Sequence, residues 1–186
     1  KMAQCTDEKS EYITIPSGRN HFFGELYQRE TFMQMQKVEF EGHMLCVTSD
    51  YKNYLTRLYG DYMEIPPEEK REHHVLYDLK LPGEYVAPKL LDKQQIQQVL
   101  TGMLDDFVAY CQRHGLRYYL VGGTLLGAVR HQGFIPWDDD IDVCMLREDY
   151  NRFIQLKDQV FDGHYKIMDY SEEGYCVPSA KFVDCN

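Results

Sequence analysis

Between Val121 and Met145 the chain reads VGGTLLGAVRHQGFIPWDDDIDVCM. Gly122-Gly123 closes an apolar run, and from Thr124 a helical pattern begins with Leu125, Leu126 and Val129 on one face. A glycine pair lets backbone come close to a phosphate, while a helix opening at Thr124 offers N–H groups without intrahelical partners and the positive end of its dipole. That is a cradle for a pyrophosphate or triphosphate, although strand–Gly-Gly–helix is also an ordinary tight connection. Downstream lies Asp138-Asp139-Asp140-Ile141-Asp142. On extended chain Asp140 and Asp142 point to the same face, where two carboxylates repel unless a cation sits between them. A hard divalent ion, Mg²⁺ or Mn²⁺, suits such a pair and would bridge it to donor phosphates. Most aspartate runs are exposed acidic loops, but this one is embedded in Ile135, Trp137, Ile141, Val143 and Met145.

The elements that must position these residues are partly readable. Asp92 as N-cap, Gln95 in the capping-box position and Gly115 as a stop predict a helix over 93–114, with Ile96, Val99, Leu100, Met103, Leu104, Phe107 and Cys111 buried. Residues 117–121 read as a strand, residues 124–131 as a helix, and the chain extends again after Pro136 through Met145. A further helix starts near Arg147. Upstream, residues 37–48 alternate as a hairpin with Glu41-Gly42 at the turn, and Asp50 caps a helix bearing Tyr51, Tyr54, Leu55 and Leu58 that Gly60 ends. Residues 1–36 read as loop with a short helix and an aromatic patch at Phe22-Phe23, and Pro66-Pro67 opens a charged stretch ending in His73-His74. The expected fold is α+β, with a short mixed sheet and packed helices in one domain over 1–186.

Composition narrows the function classes. The 186 residues are 44% hydrophobic and 27% charged, which is globular, and no apolar run reaches the ~20 residues of a bilayer span. The chain opens on Lys1 without a basic-then-apolar leader, and cytoplasm is the expected location, with the inner face of the membrane as its working surface. Cys5, Cys46, Cys111, Cys144, Cys176 and Cys185 form no CxxC or Cys/His cluster, so reduced thiols are expected. A net charge of −10 disfavours nucleic acid as partner, and any phosphate ligand needs local help such as a bound cation.

GTLLGAVRHQGFIPWDDDIDV, continuing through MLREDYNRF, resembles the LicD family, which includes bacterial phosphorylcholine transferases and the fukutin-related ribitol-phosphate transferases. The resemblance implies a nucleotidyltransferase fold and transfer of phosphorylcholine or a related phospho-alcohol from a CDP-type donor to a glycan hydroxyl, as in lipopolysaccharide or teichoic acid modification. It places donor phosphate at Gly122, Gly123 and Thr124, metal at Asp140 and Asp142, and Arg130 and His131 at the pocket edge. Arg130 either stabilises the transferring phosphoryl group or pairs with a nearby aspartate at the surface. His131 either orients the donor or, as a cation, caps the helix end. Trp137 reads as core rather than a base-stacking platform, and Lys181 contacts phosphate or is solvated.

VEFEGHMLCVTSDYKNYLTRLYGDYMEIPPEEKREHH resembles the same family's C-terminal segment. Family order would put residues 1–78 after residues 80–186, so the segments look permuted, by circular permutation, splicing of neighbouring copies or joining of pieces out of order. The family's IDIFP-like stretch, which implies a further carboxylate, is not in this sequence. Asp184 has the right local pattern for the base that takes the hydroxyl proton. Glu39, Glu41 and Asp61 are further carboxylates that could enter the pocket. NMP transfer to another acceptor, and nucleotide or glycan binding without turnover, are the rival functions.

Overall fold

The computed structural model describes residues 10–20, 24–71, 91–157, 164–172, 175 and 179–185. Phe22-Phe23, His73-His74, Cys5 and Cys176 lie outside them. Strands β1 (Tyr12–Thr14) and β2 (Leu26–Gln28) pair and lead into a short helix α1 (Arg29–Met33). Sequence reasoning anticipated the helix and missed the two strands, whose three-residue length leaves no alternation to read.

The hairpin forms as expected. Strands β3 (Met35–Phe40) and β4 (His43–Thr48) pair in the register Phe40↔His43, so Glu41 and Gly42 alone make the turn. Both have positive φ, 49° and 80°, as a two-residue turn matched to strand twist requires. Helix α2 (Tyr51–Tyr59) follows, with Asp50 at its N-cap position and Gly60 ending it at φ 67°. The Asp50 carboxylate does not cap backbone; it accepts from the Asn53 side chain at 3.0 Å. After a 3₁₀ turn at Glu68–Lys70 and the long helix α3 (Lys93–His114) come β5 (Tyr119–Leu120), α4 (Gly122–His131), β6 (Val143–Cys144), α5 (Arg147–Gln155), β7 (Tyr165–Met168) and β8 (Lys181–Asp184).

The architecture is α+β, but the expected mixed sheet is corrected. Among the described residues the strands form four separate antiparallel pairs, β1–β2, β3–β4, β5–β6 and β7–β8. Only two residues of the expected 117–121 strand ladder with β6, because Gly122 turns the chain into α4 immediately afterwards.

Helix α3 has the predicted ends: Asp92 accepts from Gln95 N–H at 2.9 Å, the Gln95 side chain returns to Asp92 N–H at 3.0 Å, and Gly115 closes it in the left-handed region. Its C-terminal half buries Met103, Leu104, Phe107, Tyr110 and Cys111. The N-terminal half departs from expectation, with Val99 exposed and Ile96 and Leu100 half-buried. There two polar side chains, Lys93 and Gln97, face inward instead. One hydrophobic cluster joins Phe40, Leu45, Tyr54 and Leu55 from the first segment to Phe107, Leu120, Leu125 and Phe153 from the second. Asp92→Ala should cost about 1 kcal/mol in urea unfolding by removing one half of the capping box; an unchanged midpoint would show that α3 is held by packing alone.

Candidate active site

The site is organised at the start of α4. Gly122 has φ 56°, and a Cβ placed there would lie 2.8 Å from Asp142 Oδ2; one at Gly123 would lie 2.7 Å from Asp138 Oδ2. Two carboxylates therefore occupy the space that side chains at these positions would fill. The glycines admit them beside the N-terminus of a helix, where negative charge is favoured. Gly122 N–H donates to Tyr54 Oη at 3.1 Å, so one of the helix's leading donors is already engaged by α2.

Thr124 is buried, 3% exposed, and its Oγ1 accepts from Asp142 N–H at 2.8 Å. Asp142 carbonyl in turn accepts from Val121 N–H at 3.2 Å. Thr124 thus fixes Asp142 rather than facing open space. From the other side, α3 holds the acidic loop by its backbone: Lys93 Nζ donates to Trp137 carbonyl and Gln97 Nε2 to Asp138 carbonyl, each at 2.9 Å. Residues four apart share a helix face, which explains why this end of α3 turns polar groups inward.

Gly122, Gly123, Asp138, Asp139, Asp140, Asp142, Arg130, Lys181 and Asp184 all line one wide cleft of about 2720 Å³. Thr124 and His131 do not line it, nor do Glu39 and Glu41, whereas Asp61 does. Glu41 serves the fold: its carboxylate accepts from Phe134 N–H at 2.9 Å, docking the β3–β4 turn on the loop after α4.

Arg130 lines the cleft and pairs with no aspartate among the described residues. Its Nη1 donates to the Tyr62 and Glu64 carbonyls, both at 3.1 Å, so it pins the strap that follows α2. Burial lowers its pKa from the ordinary arginine value. Arg71 closes the other end of the strap, its guanidinium 4.4 Å from the Trp137 ring centroid. Trp137 is therefore half-buried under an arginine, with His131 against its ring edge at 6.4 Å. His131 Nδ1 accepts from Arg130 Nε at 3.4 Å, and burial followed by the Arg130 charge lowers its pKa below 6.5. That lowering disfavours the cationic form that a helix cap would need.

The cleft holds no poised thiol among its described walls: burial, then Glu25, pushes Cys144 up to about 12. Cys46, Cys111, Cys144 and Cys185 are all free. Among the described residues no three of His, Cys, Asp and Glu gather as a metal-binding group. No described helix is long and apolar enough to cross a membrane.

The nucleotidyltransferase domain of the LicD/FKTN/FKRP family matches residues 115–179, a stretch that contains both the glycine pair and the acidic run. In this stretch the chain resembles the LicD family. It is similar to lipopolysaccharide cholinephosphotransferase LicD of Haemophilus influenzae, 46% identical over 100 residues, which is 52% of this chain and 37% of that protein. It is also similar to the ribitol 5-phosphate transferase FKRP of mouse and of human, in each case 46% identical over 50 residues, 27% of this chain and 10% of the relative. The chain thus spans little more than a third of the longest-matching of these relatives. No solved structure matches it. The LicD-family match stops short of Lys181 and Asp184 and excludes Tyr54 and the 60–71 strap, which nevertheless line the same cleft. Of these, Tyr54 reads from sequence as core alone, since helical periodicity reports which face is buried and not what a buried hydroxyl touches.

A lowered histidine pKa favours the neutral form in the folded state. The corresponding stability is present above the ordinary value of 6.5 and is lost as pH falls through the depressed folded value. Thermal unfolding from about pH 7 to about pH 5 should show wild type losing stability faster than His131→Asn; parallel profiles would remove His131 from the acid response.

Proposed function

We propose that this chain transfers phosphorylcholine or a related phospho-alcohol or phospho-sugar from a CDP-type nucleotide donor to a glycan hydroxyl, on a nucleotidyltransferase fold, with Mg²⁺ or Mn²⁺ held by Asp140 and Asp142. The observation that carries this reading is the pair of glycines at the start of α4 facing the acidic run within one cleft. The relatives' names, a cholinephosphotransferase and a ribitol 5-phosphate transferase, supply the class of group moved.

The residues fit such an ion. Mg²⁺ keeps several waters and takes one or two carboxylates plus substrate phosphates, so two aspartates suffice without a protein cage. The ion would neutralise the diphosphate and polarise the phosphorus–oxygen bond under attack. The chain's own residues do the rest. Gly122 and Gly123 keep the carboxylates and the helix end close together, and Thr124, Lys93 and Gln97 hold Asp142 and the acidic loop in place. Lys181, exposed on the cleft wall, supplies positive charge for donor phosphate, and Asp184 takes the proton of the acceptor hydroxyl. We place the activity in the cytoplasm, on glycan precursors at the inner membrane face.

The second reading is metal-dependent nucleotide binding without turnover. Purified chain with CDP-choline or CDP-ribitol, Mg²⁺ and a glycan acceptor should form phospho-alcohol-modified product, identified by mass, and Asp140→Ala or Asp142→Ala should each lower turnover at least about 100-fold. Nucleotide attached to the acceptor would indicate NMP transfer instead. Binding without product would favour the second reading, and turnover untouched by either substitution would remove the metal site.

A further inference from the structure

Tyr54 belongs to the segment outside the family match, yet its side chain ends at the glycine pair. The residue is 2% exposed, and its ring is fixed on two sides, by Tyr27 at 5.4 Å and Phe32 at 6.3 Å between ring centroids. Its Oη accepts Gly122 N–H at 3.1 Å, and both residues line the cleft. A phenol carries one O–H donor beside its acceptor lone pairs. Among the described residues that O–H donates to nothing, although the side chain is almost wholly buried. A buried donor without a protein acceptor is costly unless a ligand or water receives it.

Three other features point the same way. The hydroxyl sits at the N-terminal end of a ten-residue helix, where anions are stabilised. Burial, opposed only in part by the Gly122 bond, raises the Tyr54 pKa, so the group stays a protonated donor throughout the working range. The rigid aromatic neighbours leave the ring little freedom to turn its hydroxyl elsewhere, which is preorganisation of the kind that lets a donor act without ordering cost.

We infer that Tyr54 is a donor-binding residue, its hydroxyl receiving Gly122 N–H and passing a hydrogen bond from the helix end to a diphosphate oxygen of the nucleotide. The inference rests on the proposed nucleotide-diphosphate site and adds a contact from the other segment of the chain. It also explains why Gly122 N–H is engaged rather than left to the ligand: the phenol extends the helix's donor outward into the cleft. The same geometry makes α2 part of the donor site, joined to the glycine pair through one hydroxyl.

The test is calorimetry of the full chain with Mg²⁺ and two probes, CDP and cytidine. Tyr54→Phe keeps the ring packing and should weaken CDP about 10–100-fold, the range of a hydrogen bond to a charged group, while cytidine is unchanged. Replacing Tyr54 by 3-fluorotyrosine makes the hydroxyl a better donor and a poorer acceptor; CDP should then bind at least as tightly as to wild type. If CDP binds wild type and Tyr54→Phe equally, or if fluorination weakens it as much as removal of the hydroxyl does, the inference is wrong while the donor site stands. Failure of wild type to bind CDP or inorganic pyrophosphate overturns both.

Discussion

Everything in the site depends on how close two carboxylates can come to a helix end. Asp142 and Asp138 lie where side chains on Gly122 and Gly123 would be, 2.8 and 2.7 Å from the positions of those absent Cβ atoms. Any other residue at either position would push a carboxylate away, and at Gly122 the positive φ adds backbone strain. In a chain of net charge −10, gathering aspartates has to be compensated locally. The positive end of α4 supplies part of that compensation, and the proposed divalent cation would add to it.

Around this point the scaffold works by holding backbone. Thr124 grips Asp142 N–H from within α4, while Lys93 and Gln97 grip the carbonyls of residues 137 and 138 from α3. Arg130 and Arg71 do the same for the strap, through carbonyls at one end and the Trp137 ring at the other. Two arginines next to an acidic loop would ordinarily be read as ion-pair partners. Here they tie a segment of the first part of the chain to the wall of a cleft whose centre belongs to the second, and the shared hydrophobic cluster beneath makes both parts one body.

Local features of the fold are legible in the amino-acid sequence. The α3 ends, the Glu41-Gly42 turn and the Gly60 stop follow from side chains acting on their own neighbouring backbone, which sequence records directly. The convergence of Gly122, Gly123, Asp140 and Asp142 on one cleft is also readable, because those residues lie close along the chain. Long-range placements are not. Nothing in residues 50–60 announces that the Tyr54 hydroxyl meets Gly122, and residue type and spacing do not assign Arg130 to the Tyr62 and Glu64 carbonyls. The polar inner face at the start of α3 is hidden for the same reason: Val99 fits the apolar period, but the local demand is for groups that reach the acidic loop. The separate two-stranded pairs escape prediction because strands this short carry too little pattern to reveal their partners.

On the reading proposed above, the glycine pair and the acidic run together hold a cation and a diphosphate. A crystal structure of the chain soaked with Mn²⁺ and CDP tests it most directly, since manganese is located by anomalous scattering. The expected result is a metal peak bound by the Asp140 and Asp142 carboxylates, with the diphosphate lying against Gly122 and Gly123 at the start of α4. A metal bound elsewhere in the cleft, or a diphosphate seated away from that helix end, would contradict it.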